Sequence, residues 1–235
     1  MIYFLVKRPT EDVQRLMNSL GAKTLIKRRD LYSGGKKVTL SSDDLCVRWG
    51  SKMRVDCKTI NSPQGIVNCL NKRRAREILK ELSPKTWFVF EDAQVPFVAR
   101  PSTHTHGENF YVIRSKKDRL NKDLNGWYFT ELLDIKEEYR VYVGGDKVLG
   151  AWKKKFKKGE LRANRAITGL EWDFLMPPKD VGEICVEGCK RLGIDLAGVD
   201  VAVTDRPLIL EVNGKPRISS DDVLKCYRDY ILTWT

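Results

Sequence analysis

Short apolar runs alternate with one amphipathic segment along the first quarter of the chain. Ile2–Val6 predicts a buried strand, and Asp12–Leu20 has a helical pattern that ends at Gly21, a residue type that commonly follows a helix. Thr24–Ile26 and Asp44–Trp49 predict two further strands. This order of strand, helix and strand predicts a small parallel α/β unit.

The remaining chain predicts helices separated by a longer series of strands. Asn61-Ser62-Pro63 predicts a turn before a helix that starts near Ile66. Asn71–Leu82 is strongly helical in composition, and Val181–Leu192 and Asp221–Thr235 predict two more helices. The predicted strands are Trp87–Glu91, Pro96–Arg100, Phe110–Ser115, Asn125–Leu133, Glu138–Val143, Lys147–Lys155, Gly198–Thr204 and Leu208–Val212. The whole pattern predicts a mixed protein of the α/β or α+β class.

The composition is that of a globular protein with a basic excess. Of 235 residues, 42% are hydrophobic and 31% are charged, and no apolar run approaches the roughly 18 residues of a membrane span. Six scattered cysteines favour reduced thiols and a cytoplasmic location, and Cys185 and Cys189 share a helix face and should be buried. The net charge of +12 favours polyanionic partners without choosing among nucleoside triphosphates, nucleic acid and acidic substrates.

The segment 197–219 carries the most informative chemistry. Asp200 lies on one predicted strand, and Glu211 and Asn213 share a face of the next, because strand side chains alternate. Two carboxylates and an amide are hard oxygen ligands that suit Mg²⁺ (or Mn²⁺) beside nucleotide phosphates. The alternative is that these residues cap strand ends and face solvent. Their position among apolar residues favours the metal site.

The sequence GVDVAV…LILEVNGKP resembles the metal-binding end of the ATP-grasp superfamily, especially the branch of ribosomal-protein glutamate ligases. Four further segments match this family in the same order along the chain. They are Asn61-Ser62-Pro63 with Asn71-Lys72, Pro96–Pro101 with Gly107, Thr130–Leu133 with Glu138-Tyr139-Arg140, and Lys153–Lys155 with Arg162-Ala163-Asn164.

The resemblance implies an ATP-grasp fold with three parts. A small N-terminal parallel α/β domain would occupy residues 1–70, a lid subdomain 71–130 and a catalytic subdomain 131–235. The implied activity is that of an ATP- and Mg²⁺-dependent carboxylate–amine ligase, which forms an amide or peptide bond through an acylphosphate. A basic nucleic-acid-associated binding protein and a catalytically silent ATP-binding module remain alternatives.

The resemblance also assigns roles in nucleotide binding to individual residues. Arg100 stands where the family usually has a lysine that contacts phosphate. Glu131 would accept from the adenine amino group, with Leu132 and Leu133 presenting backbone to the ring edge. Glu138 would face the ribose hydroxyls. A loop over residues 102–107 would cover the phosphates.

Lys155 and Arg162 are the implied catalytic cations, and Arg162 and Asn164 would complete the nucleotide–metal shell. The substrate carboxylate would be held by Arg162, or by Lys215 and Arg217. At the positions of Lys215–Arg217 the family usually has small residues and glycine.

Two features, a basic run and a pair of histidines, keep plainer alternatives. The run Lys153–Lys158 is either a solvated face or a surface on which Lys155 faces phosphate and the rest face an acidic partner or nucleic acid. His104 and His106 are expected to be exposed loop residues, or His106 a phosphate contact, rather than a metal site.

Overall fold

A computed structural model describes residues 1–6, 8–27, 31–102, 110–115, 124–154 and 172–235. Within these ranges the chain forms five α-helices and four sheets. The helices are α1 (Glu11–Ser19), α2 (Pro63–Leu70), α3 (Lys72–Leu79), α4 (Lys179–Leu192) and α5 (Asp221–Leu232). No helix among these residues is long and apolar enough to cross a bilayer.

The N-terminal strands form a parallel sheet in the order β2-β1-β6-β7. Its members are β1 (Ile2–Leu5), β2 (Lys23–Thr24), β6 (Leu45–Arg48) and β7 (Lys58–Ile60). Every residue of β1 and β6 is buried, as expected for central strands covered on both faces. The predicted parallel α/β unit is therefore confirmed.

A small antiparallel sheet lies beside this unit. It consists of β3 (Ile26–Lys27), β4 (Leu31–Ser33) and β5 (Lys36–Lys37). The single strand predicted at Thr24–Ile26 is thus divided between two sheets, and fully buried Leu25 stands at the break. Since two-residue strands carry little pattern, the local sequence could not show this division.

Two larger sheets follow the N-terminal sheet along the chain and are called the second and third sheets. The second sheet is antiparallel in the order β10-β9-β11-β8. It contains β8 (Thr86–Trp87), β9 (Phe97–Pro101), β10 (Tyr111–Ile113) and β11 (Trp127–Glu131). The strand predicted at Trp87–Glu91 is shorter than expected because the chain turns to pack Phe90 edge-on against Phe97 and Phe129, at centroid distances of 5.8 and 5.5 Å.

The third sheet is antiparallel and has the order β14-β13-β12-β15-β16. It contains β12 (Glu137–Gly144), β13 (Lys147–Lys154), β14 (Trp172–Leu175), β15 (Leu196–Val203) and β16 (Pro207–Asn213). Strand β14 was not predicted. Helices α2, α3 and α4 share one core with this sheet, and α5 joins its other face to the N-terminal unit.

Two predictions about the helices have clear outcomes. Cys185 and Cys189 are fully buried in the core under α4, as predicted. Helix α2 begins at Pro63, with the Ser62 hydroxyl accepting from Gly65 N at 2.8 Å, so it starts earlier than the predicted position near Ile66. The division at residues 70 and 130 remains a prediction.

Asn61 joins the N-terminal unit to the third sheet. Its Nδ2 donates to the carbonyls of Arg48 and Leu196 at 3.2 and 3.0 Å. Its Oδ1 accepts from the backbone N–H groups of Asp195 and Leu196 at 2.8 and 2.7 Å. Asn61 is fully buried and has a φ of 66°, a left-handed conformation that Asn tolerates better than most residues. This one amide therefore fixes the start of β15 relative to β6.

Replacing Asn61 with Ala is expected to lower the free energy of unfolding by at least about 3 kcal/mol, because four buried backbone groups lose their partner. Asn61→Gly should be nearly as destabilising, since glycine relieves the backbone but not the lost hydrogen bonds. Chemical denaturation measures both. The exposed Asn18 on α1 is the control, and its replacement by Ala should change stability by less than about 0.5 kcal/mol. A neutral Asn61→Ala variant would contradict the junction.

Candidate active site

A row of charged residues crosses one face of the third sheet. Arg140 on β12 lies opposite Asp200 on β15, and Asp200 lies opposite Glu211 on β16. Asn213 is two residues beyond Glu211, opposite Gly198, and so shares this face. The structure therefore brings Asp200, Glu211 and Asn213 to one end of one hairpin face, as the sequence predicted.

A β-bulge lies at this row. The pairing shifts between Asp200 and Val201, which leaves Leu210 as the extra residue of β16. Arg76 on α3 donates to the carbonyls of Ile209 and Leu210 at 2.9 and 2.6 Å. Burial lowers the pKa of Arg76. This guanidinium holds the irregular backbone that carries Glu211.

Both oxygens of Asp200 accept hydrogen bonds from cations. Oδ1 accepts from Arg140 Nε at 2.9 Å and from Lys154 Nζ at 3.0 Å, and Oδ2 accepts from an Arg140 terminal nitrogen at 2.5 Å. Burial opposes ionisation of Asp200, but the two cations outweigh it and hold its pKa well below the usual value. Asp200 is therefore ionised throughout the physiological pH range.

Lys154 connects Asp200 to a second buried carboxylate. Its ammonium also donates to Glu138, which is 7% exposed. Burial raises the pKa of Glu138, although Lys154 opposes this. Burial alone would lower the pKa of Lys154, but Asp200 and Glu138 reverse the shift and raise it. With Arg140, these residues form a buried set of two cations and two anions.

Glu211 is paired with a cation from α3. Lys72 Nζ lies 2.5 Å from Glu211 Oε1, and the two side chains are 19% and 34% exposed. Asn71 caps the helix by accepting from Arg74 N at 3.1 Å, which fixes the first turn on which Lys72 stands. Thus each carboxylate of the row already has a cationic partner.

Arg100 on β9 faces the same region from the second sheet. It lines a cavity of about 20 Å³ together with Lys72, Tyr128 and Glu211. Its Nε is buried, and no acceptor among the described residues lies within hydrogen-bond distance. A buried donor without an acceptor is unfavourable by about 1–3 kcal/mol, so this nitrogen favours an added anionic ligand.

The hinge between the second and third sheets is held by its own hydrogen bonds. Glu131 Oε1 accepts from Lys85 N at 2.7 Å, and Glu131 N donates to Lys85 O at 3.0 Å. Leu132 N donates to Pro96 O at 3.2 Å. The Leu132 N–H is thus already hydrogen-bonded. Any contact from the Leu132 backbone to an adenine would therefore come from the carbonyl oxygen of Leu132. Leu133 follows, half-buried.

A larger cavity of about 690 Å³ opens beside this hinge. It lies among α3, residues 81–88, Glu131 and the β15–β16 turn. Arg76 reaches it from one side and Arg206 from another, with Arg206 donating to Glu81 O at 2.8 Å. Its volume and mixed charges are suited to a small polar ligand.

The family of the central and C-terminal part of the chain follows from a sequence comparison. A model of the RimK-like ATP-grasp domain matches residues 112–225, a range that contains the whole charged row. The chain contains a RimK-like ATP-grasp domain. The family predicted from the motifs is confirmed.

Named relatives of this ATP-grasp protein are ligases. A probable alpha-L-glutamate ligase 2 of Hahella chejuensis is 28% identical over 152 residues, which cover 58% of this chain and 50% of the relative. A probable alpha-L-glutamate ligase 1 of Shewanella denitrificans is 34% identical over 181 residues, which cover 67% and 61%. The chain thus spans about half to three fifths of the length of these two relatives.

A solved structure is similar to this chain in fold. The ATP-grasp ligase PsnB, complexed with minimal precursor, Mg and ADP, has a TM-score of 0.71 and 13% identity, covering 100% of this chain and 97% of that chain. This likeness confirms the predicted ATP-grasp fold. The comparisons give no support to the nucleic-acid-associated alternative.

Several predicted site residues of the ATP-grasp domain lie outside the described ranges. They are Lys155, Arg162 and Asn164, together with His104, His106 and Gly107. Their roles remain predictions.

In the described part of the basic run Lys153–Lys158, Lys153 is at the surface and Lys154 is buried. Lys153 and Lys154 point to opposite sides, as predicted, but Lys153 pairs with Glu137 and Lys154 is buried against Asp200. The assignment of Lys154 to an acidic partner was therefore wrong. The alternation of side chains along β13 could be predicted from the local pattern. The side of the strand that faces the ATP-grasp site could not.

Four cations of the ATP-grasp site were not assigned from the sequence. They are Lys72, Arg76, Arg140 and Lys154. Lys72 and Arg140 had a usable signal, because both lie in segments that resemble the family, Asn71-Lys72 and Glu138-Tyr139-Arg140. Arg76 had none, since the carbonyls that it contacts are 133 and 134 residues away along the chain.

Proposed function

We propose that the protein is an ATP- and Mg²⁺-dependent carboxylate–amine ligase that forms an amide or peptide bond. The observation that carries the proposal is the shared sheet face of Asp200, Glu211 and Asn213, with the buried Arg100 Nε lacking an acceptor among the residues that the structure describes. The RimK-like domain and the ligase names of the relatives support the same reaction class.

The donor set fits a divalent cation. In the part of the chain that the structure describes, no three His, Cys, Asp or Glu side chains are grouped to hold a metal. The proposed set instead has two carboxylates, Asp200 and Glu211, and the amide of Asn213, all hard oxygen donors. When bound, Mg²⁺ (or Mn²⁺) would supply charge neutralisation for the phosphates. Arg140, Lys154 and Lys72 would then share these carboxylates with the metal.

The phosphates of ATP are proposed to lie between the second and third sheets. Arg100 would donate its Nε to a phosphate oxygen, and Lys72 stands on the same small cavity. Lys155 and Arg162 would add charge from the neighbouring segment, with Asn164 beside the metal, as the resemblance implies. The triphosphate would thus meet a surplus of positive charge.

The nucleoside is proposed to lie along the hinge. Glu131 has one carboxylate oxygen bound to Lys85 N, which leaves its second oxygen for the adenine amino group. Leu132 and Leu133 would present backbone to the ring. Glu138 would accept from the ribose hydroxyls by sharing its oxygens between ribose and Lys154.

The reaction is proposed to proceed in two displacements. A substrate carboxylate oxygen attacks the γ-phosphorus, the bond to the β,γ-bridging oxygen breaks, and ADP leaves. The amine nitrogen of the second substrate then attacks the acyl carbon, the bond to the phosphate oxygen breaks, and the nitrogen loses a proton. The protein's share in these displacements is to position the reactants and offset charge on oxygen.

Measurement of ADP release tests the proposal against a silent ATP-binding module. The protein is incubated with ATP and Mg²⁺ and a panel of carboxylates, including glutamate and glutamate-ended peptides, each with a panel of amines. The ligase proposal expects ADP release that requires both substrates, with one amide formed per ADP as measured by mass spectrometry. Tight ATP binding without ADP release from any pair would favour the silent module.

Replacing Arg100 with Ala is expected to weaken binding of Mg²⁺-ATP by about 10–100-fold, because a charge-assisted hydrogen bond to phosphate is lost. Arg100→Lys should recover part of the affinity through its positive charge. Calorimetric titration with a non-hydrolysable ATP analogue measures both. The exposed Arg74 on α3 is the control, and its replacement by Ala should leave affinity unchanged. Equal affinities of Arg100→Ala and wild type would remove this residue from the phosphate site.

A further inference from the structure

Two cysteines of the N-terminal unit lie in direct contact. The Cys57 thiol donates to Cys46 Sγ, with 3.2 Å between the two sulfur atoms. All six cysteines of the chain are free thiols, and within the part of the chain that the structure describes no other two of them are hydrogen-bonded to each other. This contact makes the pair a candidate for chemistry that needs two thiols.

The backbone explains how the two side chains meet. Cys46 lies on β6, and Thr59 is its partner on the neighbouring parallel strand β7. Cys57 comes two residues before Thr59, and two residues of straight strand would carry it about 7 Å along the sheet from Cys46. The chain bends at residues 56–57, immediately before β7 begins at Lys58. The bend therefore lets the Cys57 side chain reach back to Cys46.

The two thiols differ in their access to solvent. Cys46 is fully buried in a cluster that includes Tyr3, Leu5 and Leu25, whereas Cys57 is half-buried at the edge of the same cluster. Burial raises the pKa of Cys46. A reagent from solution can therefore reach Cys57 and not Cys46, so Cys57 must react first.

The distance between the sulfurs favours a disulfide over a metal site. Two thiolates on one tetrahedral zinc ion lie about 3.8 Å apart, because each Zn–S bond is about 2.3 Å long. Cys46 and Cys57 are closer than this, and among the described residues no three His, Cys, Asp or Glu side chains are grouped to hold a metal. A disulfide bond is about 2.05 Å long, so the sulfurs need to approach by only about 1 Å more.

We propose that Cys46 and Cys57 form a redox-active dithiol, a modification site that a small disulfide such as oxidised glutathione converts reversibly into an intramolecular disulfide. The Cys57 thiolate attacks one sulfur of oxidised glutathione, the S–S bond of glutathione breaks, and one glutathione leaves as its thiolate. The Cys46 thiolate then attacks Cys57 Sγ, and the second glutathione leaves. The two thiol protons pass to the two glutathione thiolates, so the protein loses two electrons and the glutathione disulfide gains them.

The bridge would close the loop of residues 47–56, which touches the end of β16. Gly50 in this loop donates its N–H to Gly214 O at 3.1 Å, and Gly214 directly follows Asn213, the last residue of β16. Arg48, itself 2% exposed, donates its Nε to Met53 O at 3.0 Å and so holds the loop from within. The dithiol therefore lies at the base of a loop that supports the backbone beside the proposed metal ligands.

Treatment of the reduced full chain with excess oxidised glutathione tests the proposal. The expected product is lighter by two hydrogens in intact mass, and digestion without reductant should yield a peptide pair linked through Cys46 and Cys57. Four of the six thiols should remain open to alkylation after denaturation, and dithiothreitol should restore all six.

Single substitutions separate the roles of the two thiols. In Cys46→Ala, Cys57 can still attack but no thiol displaces the bound glutathione, so this variant should retain one glutathione. In Cys57→Ser, oxidation should slow by at least about tenfold, because the remaining thiol of the pair is buried. Cys57→Ser also carries the test if Cys46→Ala does not fold. The matched control is Cys226→Ser, which removes another half-buried thiol, bonded to Leu149 O at 3.2 Å, and should form the bridge at the wild-type rate.

Several results would overturn the proposal. They are six free thiols after prolonged exposure to oxidised glutathione, a wild-type protein that retains glutathione on Cys57 while Cys46 stays reduced, and unchanged oxidation in Cys57→Ser. Protection of both thiols from alkylation by added Zn²⁺, without bridge formation by oxidised glutathione, would assign the pair to a metal instead. None of these measurements involves ATP or ADP, so the dithiol and the proposed ligase reaction stand or fall separately.

Discussion

The Glu211→Gln variant is expected to release ADP at least about 100-fold more slowly than wild type at saturating Mg²⁺. The substitution keeps the shape of the side chain but removes one of two carboxylates proposed to hold the metal. It also leaves Lys72 without its ion-pair partner, 2.5 Å away in the wild type. Because the freed ammonium can then face phosphate, binding of ATP without Mg²⁺ should be unchanged or tighter.

A coupled assay of ADP and a calorimetric titration with and without Mg²⁺ check the two parts of this prediction. The control is Glu187→Gln on α4, which removes the same charge from a surface pair with Arg191. That variant should keep wild-type activity, since exposed pairs of this kind contribute less than about 1 kcal/mol. Wild-type ADP release from Glu211→Gln would show that the row does not hold a catalytic metal.

The Lys154→Met variant is expected to lose about 3–5 kcal/mol of folding free energy near pH 8, because removing one partner leaves buried charge uncompensated. The side chain keeps similar length and apolar volume, so the loss reports the charge. Glu138 and Asp200 would then face each other across a buried space with only Arg140 as counter-charge. Urea denaturation at several pH values measures the effect.

The folding free energy lost in the Lys154→Met variant should become smaller as the pH falls toward 5. Without Lys154, the pKa of Glu138, already raised by burial, rises further. A carboxyl whose folded pKa lies above its unfolded pKa does not oppose folding below the unfolded value, opposes it increasingly as the pH rises from the unfolded to the folded value, and opposes it fully above the folded value. The wild type has the opposite contribution from Asp200, whose lowered pKa makes its stabilisation complete above the unfolded pKa and weaker in acid.

Lys153→Met is the matched control for this experiment. Lys153 is the next residue on β13 but is 36% exposed and pairs with Glu137 at the surface. Its loss should change stability by less than about 1 kcal/mol, with little dependence on pH between 5 and 8. If Lys154→Met and Lys153→Met are equally stable, the buried set of charges contributes little to folding.

The parallel N-terminal unit and the hairpin of the charged row could be predicted from local pattern. Alternation alone placed Glu211 and Asn213 on one face, and the two apolar strands around Asp200 indicated where the hairpin would close. The bulge at Leu210 did not disturb this prediction. Leu210 precedes Glu211 on β16, so the alternation from Glu211 to Asn213 is unchanged. These features depend only on neighbouring residues.

Contacts between distant segments could not be predicted in this way. Lys72 reads as part of a basic helix, and only the packing of α3 on β16 turns it toward Glu211. Lys154 reads as one lysine in a run, and the sheet order decides which of its two faces is inside. Strand β14 has four residues at the edge of its sheet, too few for a clear pattern.

The pairing of every carboxylate in the row has a consequence for the order in which ligands arrive. Among the described residues, Asp200 and Glu211 of the row and the adjoining Glu138 are each paired with a neighbouring ammonium or guanidinium, and Arg76 and Arg100 lie close by without a carboxylate partner. A bare divalent ion would therefore be repelled by the local field, whereas its complex with the triphosphate, which is anionic, would be drawn in. Under the proposed function the nucleotide would thus deliver the metal, and free Mg²⁺ without nucleotide should not bind measurably to the protein.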